Sequence, residues 1–163
     1  MQHLLVEAIL AYVATVGFGI ILNIPRRALN VAGWIGTAGW VTYELIMMMD
    51  HNNGTNWSLM SGAMLTAGFL IGILSNWAAR LKHMPMILFN IPSLVPLVPG
   101  GQAYQVIRNL VTNHVPQALS YLGQVIIIAG MIALGFLLAE LVVRLEQRGR
   151  QIQQERRQHL DEK

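Results

Sequence analysis

Residues 85–110 read Pro-Met-Ile-Leu-Phe-Asn-Ile-Pro-Ser-Leu-Val-Pro-Leu-Val-Pro-Gly-Gly-Gln-Ala-Tyr-Gln-Val-Ile-Arg-Asn-Leu. The stretch is apolar enough to enter a bilayer, yet it carries prolines at 92, 96 and 99 and then a Gly100-Gly101 pair. A proline inside a helix lacks the N–H and clashes with the carbonyl four residues back. The carbonyls of Leu88, Pro92 and Val95 are therefore expected to lose their helical partners. Unpaired backbone at membrane depth is tolerated only where it is buried in protein or lines a water-filled cavity. The stretch predicts a broken element facing the interior of a membrane protein.

The flanks agree. The 163 residues are 54% hydrophobic and only 12% charged, and several apolar runs have the roughly 20 residues a helix needs to cross a bilayer core. Runs are read at about 4–24, 28–49, 57–79 and 118–143. The broken segment fills 85–101, a short helix follows at 102–113, and residues 114–117 form a connector. A polar loop without Lys or Arg occupies 50–56. The first run lacks a basic region before it and is too long for a signal peptide core, so it is expected to stay as a membrane helix. The expected fold is an all-α polytopic membrane protein: one transmembrane domain over 1–145 and a basic cytoplasmic tail over 146–163.

Charge placement sets the expected topology. If 85–101 crosses, Arg26, Arg27, Arg80, Lys82 and the tail residues Arg144, Arg148, Arg150, Arg156, Arg157 and Lys163 share one side, and only Arg108 lies on the other. That agrees with the positive-inside rule. It predicts five crossings, the fourth a proline-broken discontinuous helix, with the N-terminus outside and the C-terminus in the cytoplasm. A re-entrant 85–101 is the rival and conflicts with the tail charge. The same placement explains the net charge of +3 without nucleic acid as a partner.

Small residues should mark helix contacts, because lipid gives no hydrophobic drive between helices. Gly33, Gly36 and Gly39 repeat in the second run, Gly68 and Gly72 in the third, Gly123 and Gly130 in the last. These either pack the bundle or dock a partner subunit.

There are no cysteines, and no P-loop, GxSxG or HExxH pattern, so no acid, base and nucleophile set for an enzyme is expected. The five histidines are scattered, whereas a metal site needs clustered ligands; neither a metal nor any other cofactor is expected. Intramembrane polar groups are costly and usually face a bundle interior. Glu44 is a candidate for coupling or pore lining, with an interfacial carboxylate as the plain alternative. Asn23, Asn76 and Gln124 are candidates to line a path or to hydrogen-bond between helices. Glu7 reads as interfacial, and Glu140 pairs with Arg144 at i,i+4. In the broken segment, Gly100 and Gly101 tolerate positive φ and close approach, and a helix starting at Gln102 to Tyr104 offers N–H groups to a carboxylate or phosphate. Freed carbonyls upstream suit a cation, the layout of discontinuous helices in transporters. The candidate path residues are Asn90, Pro92, Pro96, Pro99, Gly100, Gly101, Gln102 and Tyr104.

Four segments carry a family resemblance: Asn23-Ile-Pro-Arg-Arg-Ala-Leu, Gly33-Trp-Ile-Gly-Thr-Ala-Gly-Trp, Asn56-Trp-Ser with the small-residue helix after it, and Ile91-Pro-Ser-Leu-Val-Pro-Leu-Val-Pro-Gly-Gly-Gln-Ala-Tyr. Together they resemble the threonine/serine exporter family, and more narrowly its short, separately encoded subunit matching the C-terminal half of the fused exporters. The Pro-x-x-Pro-Gly-x-x-Ala-Tyr pattern at 96–104 is the most specific part. The resemblance implies export of small carboxylate-bearing metabolites, threonine and serine or a dicarboxylate such as succinate. It also implies a larger transmembrane subunit that supplies the N-terminal half of the exporter. Residues beyond about 148 fall outside the shared pattern.

The function expected is thus a membrane subunit of a secondary exporter in the plasma (inner) membrane, embedded in lipid, with a small carboxylate substrate and a larger partner. A homo-oligomer is compatible with the sequence. A self-assembling channel and a non-transporting scaffold are the rivals.

Overall fold

The computed structural model describes residues 2–49 and 57–161. The polar loop at 50–56 lies outside the described residues. Every regular element among the described residues is helical: α1 Gln2–Ile21, α2 Arg26–Met48, α3 Trp57–Lys82, α4 Ile87–Leu94, a 3-10 turn Val95–Leu97, α5 Gly100–Val111 and α6 Val115–Asp161. The connector residues 115–117, the apolar run at 118–143 and the charged tail as far as Asp161 all belong to one 47-residue helix. Pro116 does not interrupt it, because a proline in the first turn removes an N–H that has no helical partner anyway.

Three helices end on the same device. Asn23, His83 and Asn113 have φ of 55°, 52° and 61°. The next residue in each case donates to the carbonyl five back: Ile24 to Gly19 at 3.0 Å, Met84 to Ala79 at 3.1 Å and His114 to Asn109 at 2.8 Å. A left-handed residue that reverses the chain in this way satisfies carbonyls the helix leaves open, and Asn and His adopt that conformation more readily than most residues.

The centre of the bundle is α2. It packs against α1, α3 and α4. Its three glycines explain how. A spacing of three residues turns about 300° around a helix axis, so each step swings the small face by about 60°. Gly33 accordingly meets Tyr12 and Val16 of α1, Gly36 meets Thr15 of α1 and the Ser93 backbone of α4, and Gly39 meets Ile71 of α3. The third-helix pair packs as expected on α6: a β-carbon on Gly68 would stand 3.0 Å from the Ile132 carbonyl oxygen, and Gly72 faces Phe136 and Ala139. On α6 itself a different glycine packs within the bundle. Gly123 and Gly130 have nothing within 4 Å, and the close contact is made by Gly135 against the backbone of Leu65, Gly68 and Phe69. The two expected glycines lie on faces of α6 that point away from α3.

These contacts also fix direction. Gly68 against Ile132 and Gly72 against Phe136 and Ala139 mean that α3 and α6 run parallel. The helices α1 and α2 run antiparallel, with Thr15 against Gly36 and Gly19 against Leu29. One end of the bundle therefore gathers the close of α1, the start of α2, the close of α3 and the 142–146 region of α6, with Arg26, Arg27, Arg80, Lys82 and Arg144. The chain between α3 and α6 leads from this basic end to the opposite end.

Among the described residues, three helices are long and apolar enough to cross a membrane: His3–Ile21, Ser58–Lys82 and Val115–Arg148. The 23 residues of α2 are long enough but are more polar. A helix covered by protein neighbours need not be apolar all round, and Ala28, Ala32, Gly33, Ile35, Gly36, Thr37 and Gly39 are buried in this way.

Candidate functional site

The stretch quoted at the outset divides into two helices with different surroundings. The first, α4, is wedged among α1, α2 and α3. Phe89, Pro92 and Ser93 are buried. The Ser93 hydroxyl donates to the Ala32 carbonyl of α2 at 2.9 Å, and Pro92 reaches the Gly19 position of α1. The helix continues past Pro92 to Leu94 and then tightens into the 3-10 turn. Shorter-range bonds take over: Val95 donates to the Pro92 carbonyl, and Val98 to the Val95 carbonyl at 3.3 Å. The carbonyls of Pro92 and Val95 are thus engaged, which corrects the expectation that they stand free. A 3-10 turn offers i→i+3 partners where proline denies i→i+4 ones.

At Pro99 the chain makes an inverse γ-turn. Its φ and ψ are −74° and 56°, close to the usual values for that turn, and Gly100 donates to the Val98 carbonyl at 2.7 Å. The Pro99 carbonyl accepts from Ala103 at 3.0 Å, which opens α5. Gly100 and Gly101 are the first turn of α5, and no glycine among the described residues has positive φ. The left-handed freedom expected of the pair is unused, since both simply continue into a helix. Nothing lies within 4 Å of where their β-carbons would be. Gln102 is half-buried and Tyr104 exposed. The only helix with extensive contact to α5 is α6, so the start of α5 is open.

The polar candidates fall at several levels. Asn23 is exposed and caps α1, beside a hollow of about 540 Å³ that Asn30 and Tyr12 also line. Gln124 is half-buried on α6. Glu44 is half-buried on α2 and interacts electrostatically with Glu7 of α1. Glu7 also lines, with Pro96 and Trp40, a hollow of about 220 Å³. Glu7, expected to be interfacial, is half-buried in the first turns of α1. The Glu140–Arg144 ion pair forms on the exposed face of α6 at 2.7 Å.

Asn76 of α3 and Asn90 of α4 both adjoin Met86. Asn76 Nδ2 donates to the Met86 sulfur at 3.6 Å, and the Asn90 N–H donates to the Met86 carbonyl at 3.1 Å. Among the described residues, Trp40 Nε1, Ser75 Oγ, Arg80 Nη2 and Asn90 Oδ1 are buried polar atoms without a hydrogen-bond partner. Each such atom costs about 1–3 kcal/mol, more when charged. Arg80 and Ser75 were not singled out from sequence. Arg80 reads there as one more cytoplasmic cation, and Ser75 as one small residue among many in a small-residue helix. The one available signal was spacing: Ser75, Asn76 and Arg80 lie within six residues on consecutive turns of α3. The arrangement can take up polar or anionic groups at the basic end and presents two carboxylates and an indole N–H nearer the other.

A family model described as Threonine/Serine exporter, ThrE, matches residues 7–142. That span takes in α2 to α5 entire and most of the apolar parts of α1 and α6. No solved structure matches the chain.

Proposed function

The chain belongs to the threonine/serine exporter family, and from that premise we propose that it is a membrane subunit of a secondary exporter for small carboxylate-bearing metabolites. Threonine, serine and a dicarboxylate such as succinate are the candidate substrates, and a larger transmembrane subunit completes the path. The single observation that carries this reading is α4: a proline-containing helix packed among three others, with unpartnered polar atoms beside it. A partner is supported by α5, whose opening turn is left uncovered by the rest of the chain.

In this reading the segment from α4 through α5 is the fourth of five crossings. It is supported by the parallel course of α3 and α6, which requires the chain between them to change ends. The basic end faces the cytoplasm of a cell with the protein in its plasma membrane, by the positive-inside rule; the N-terminus is then outside. Asn90, Pro92, Pro96, Pro99, Gly100, Gly101, Gln102 and Tyr104 line or shape the path, and the Glu44–Glu7 pair couples transport to protons.

The test is efflux of labelled threonine, serine and succinate from proteoliposomes with and without the co-expressed large subunit. Saturable efflux of a carboxylate that needs both subunits is expected. Non-saturable conductance from the chain alone would make it a channel. A complex that moves none of the three overturns the exporter reading. Unchanged efflux in an inserted Pro99→Ala/Gly100→Leu double variant removes the α5 start from the path.

A further inference from the structure

Arg80 is the one described cation with a buried guanidinium nitrogen that has no partner. Its side chain lines a cavity of about 460 Å³ between α3 and α6, together with Asn76, Trp77, Val142 and Glu146. That volume lies in the usual range for small-ligand sites, which have mostly apolar walls and a few convergent polar groups. Here the walls are Trp77, Val142 and their apolar neighbours, and the polar groups are Arg80, Asn76 and the Glu146 carboxylate at the exposed rim.

Two further observations point the same way. The Asn76 amide spends a donor on the Met86 thioether, a weak acceptor, so a better acceptor would displace it. Beyond Met86 stands Asn90 with its buried, unpartnered oxygen, and one residue before Asn76 stands the unpartnered Ser75 hydroxyl, whose residue is fully buried. Under-satisfied polar groups thus lead from the cavity toward α4.

A guanidinium nitrogen buried without a partner, as Nη2 of the half-buried Arg80 is, is costly, whereas a guanidinium paired with a carboxylate gains short, charge-assisted bonds in a fork geometry suited to that group. We propose that Arg80 receives the carboxylate of a small organic acid or amino acid in this cavity at the basic end, with Asn76 as second donor. This site is separate from the start of α5 and rests on the exporter reading for its biological meaning.

The experiment is thermal unfolding of the full chain in detergent, with and without millimolar L-threonine, succinate or the uncharged threonine amide N-acetyl methylamide. A ligand that binds only the folded state raises the midpoint. Wild type is expected to respond to threonine and to succinate and not to the uncharged analogue. Arg80→Gln is expected to lose the response while its ligand-free midpoint stays level or rises, since a buried unpaired charge is removed; a merely structural arginine would instead lower it. Arg80→Lys should keep a weakened response, which covers the case where Arg80→Gln does not fold. Equal response to the uncharged analogue, no response in wild type, or a full response in Arg80→Gln overturns the proposal. Efflux in proteoliposomes separates the two readings: export with an Arg80-independent response leaves the exporter standing and removes this site. An Arg80-dependent response without export does the reverse.

Discussion

The helices α4 and α5 come from one stretch of chain, share its proline and glycine punctuation, and differ in who covers them. Three of the eight residues of α4 are buried, and its Ser93 hydroxyl is tied to α2. None of the twelve residues of α5 is buried. Tyr104, Ile107, Leu110 and Val111 stay exposed, and a β-carbon at Gly100 or Gly101 would meet nothing within 4 Å. The difference teaches that breaks in an apolar run say where a helix stops, not what lies against it. The chain supplies its own cover for α4; for α5 it supplies α6 on one side only.

Glycine substitutions test that difference most severely. Gly36→Leu drives a side chain into Thr15 and the Ser93 backbone, backbone that cannot step aside. Overpacking of this kind costs roughly 3 kcal/mol, and thermal unfolding of purified protein should show a large drop in midpoint or failure to insert. Ser93→Ala comes next. It deletes the bond to Ala32 and should cost about 1 kcal/mol, read in the same assay; an unchanged midpoint would mean that packing alone seats α4. Gly100→Leu should change the stability of the isolated chain by no more than about 0.5 kcal/mol, as for surface positions generally, because its surroundings are open. A Gly100→Leu variant as damaged as Gly36→Leu would show that α5 is covered by its own chain after all, and the contrast would collapse. Smallest is Arg144→Gln, which removes the exposed pair with Glu140; about 0.3–0.5 kcal/mol is expected, and it should vanish in high salt.

Much of this architecture was legible beforehand. The helix ends at Asn23, His83 and Asn113 follow apolar runs, and the chain re-enters helix close by each time. The Glu140–Arg144 pair was legible because i,i+4 neighbours on one helix need no tertiary information. The glycines of α2 and α3 were legible as contacts. On α6 it is Gly135 that packs within the bundle, while Gly123 and Gly130 do not, since spacing along a helix does not say which face meets a neighbour; for those two, docking of a partner is the alternative that stands. The freedom of the Pro92 and Val95 carbonyls was misread for a similar reason. Proline denies one partner, and the turn that follows supplies another.

The amino-acid sequence by itself determined that this is a helical chain of membrane-spanning composition, where its helices break, and which end gathers the positive charge. Those properties are local: apolar length, proline and glycine, and the order of Lys and Arg along the chain. Only the tertiary structure decided that α4 is packed among three helices while α5 is open, that Glu7 lines a hollow with Trp40 and Pro96, and that Arg80 has an unpartnered donor beside a cavity it shares with Asn76. Each of these depends on which faces of separate helices meet. That is settled by packing between residues far apart in sequence, and no local pattern encodes it.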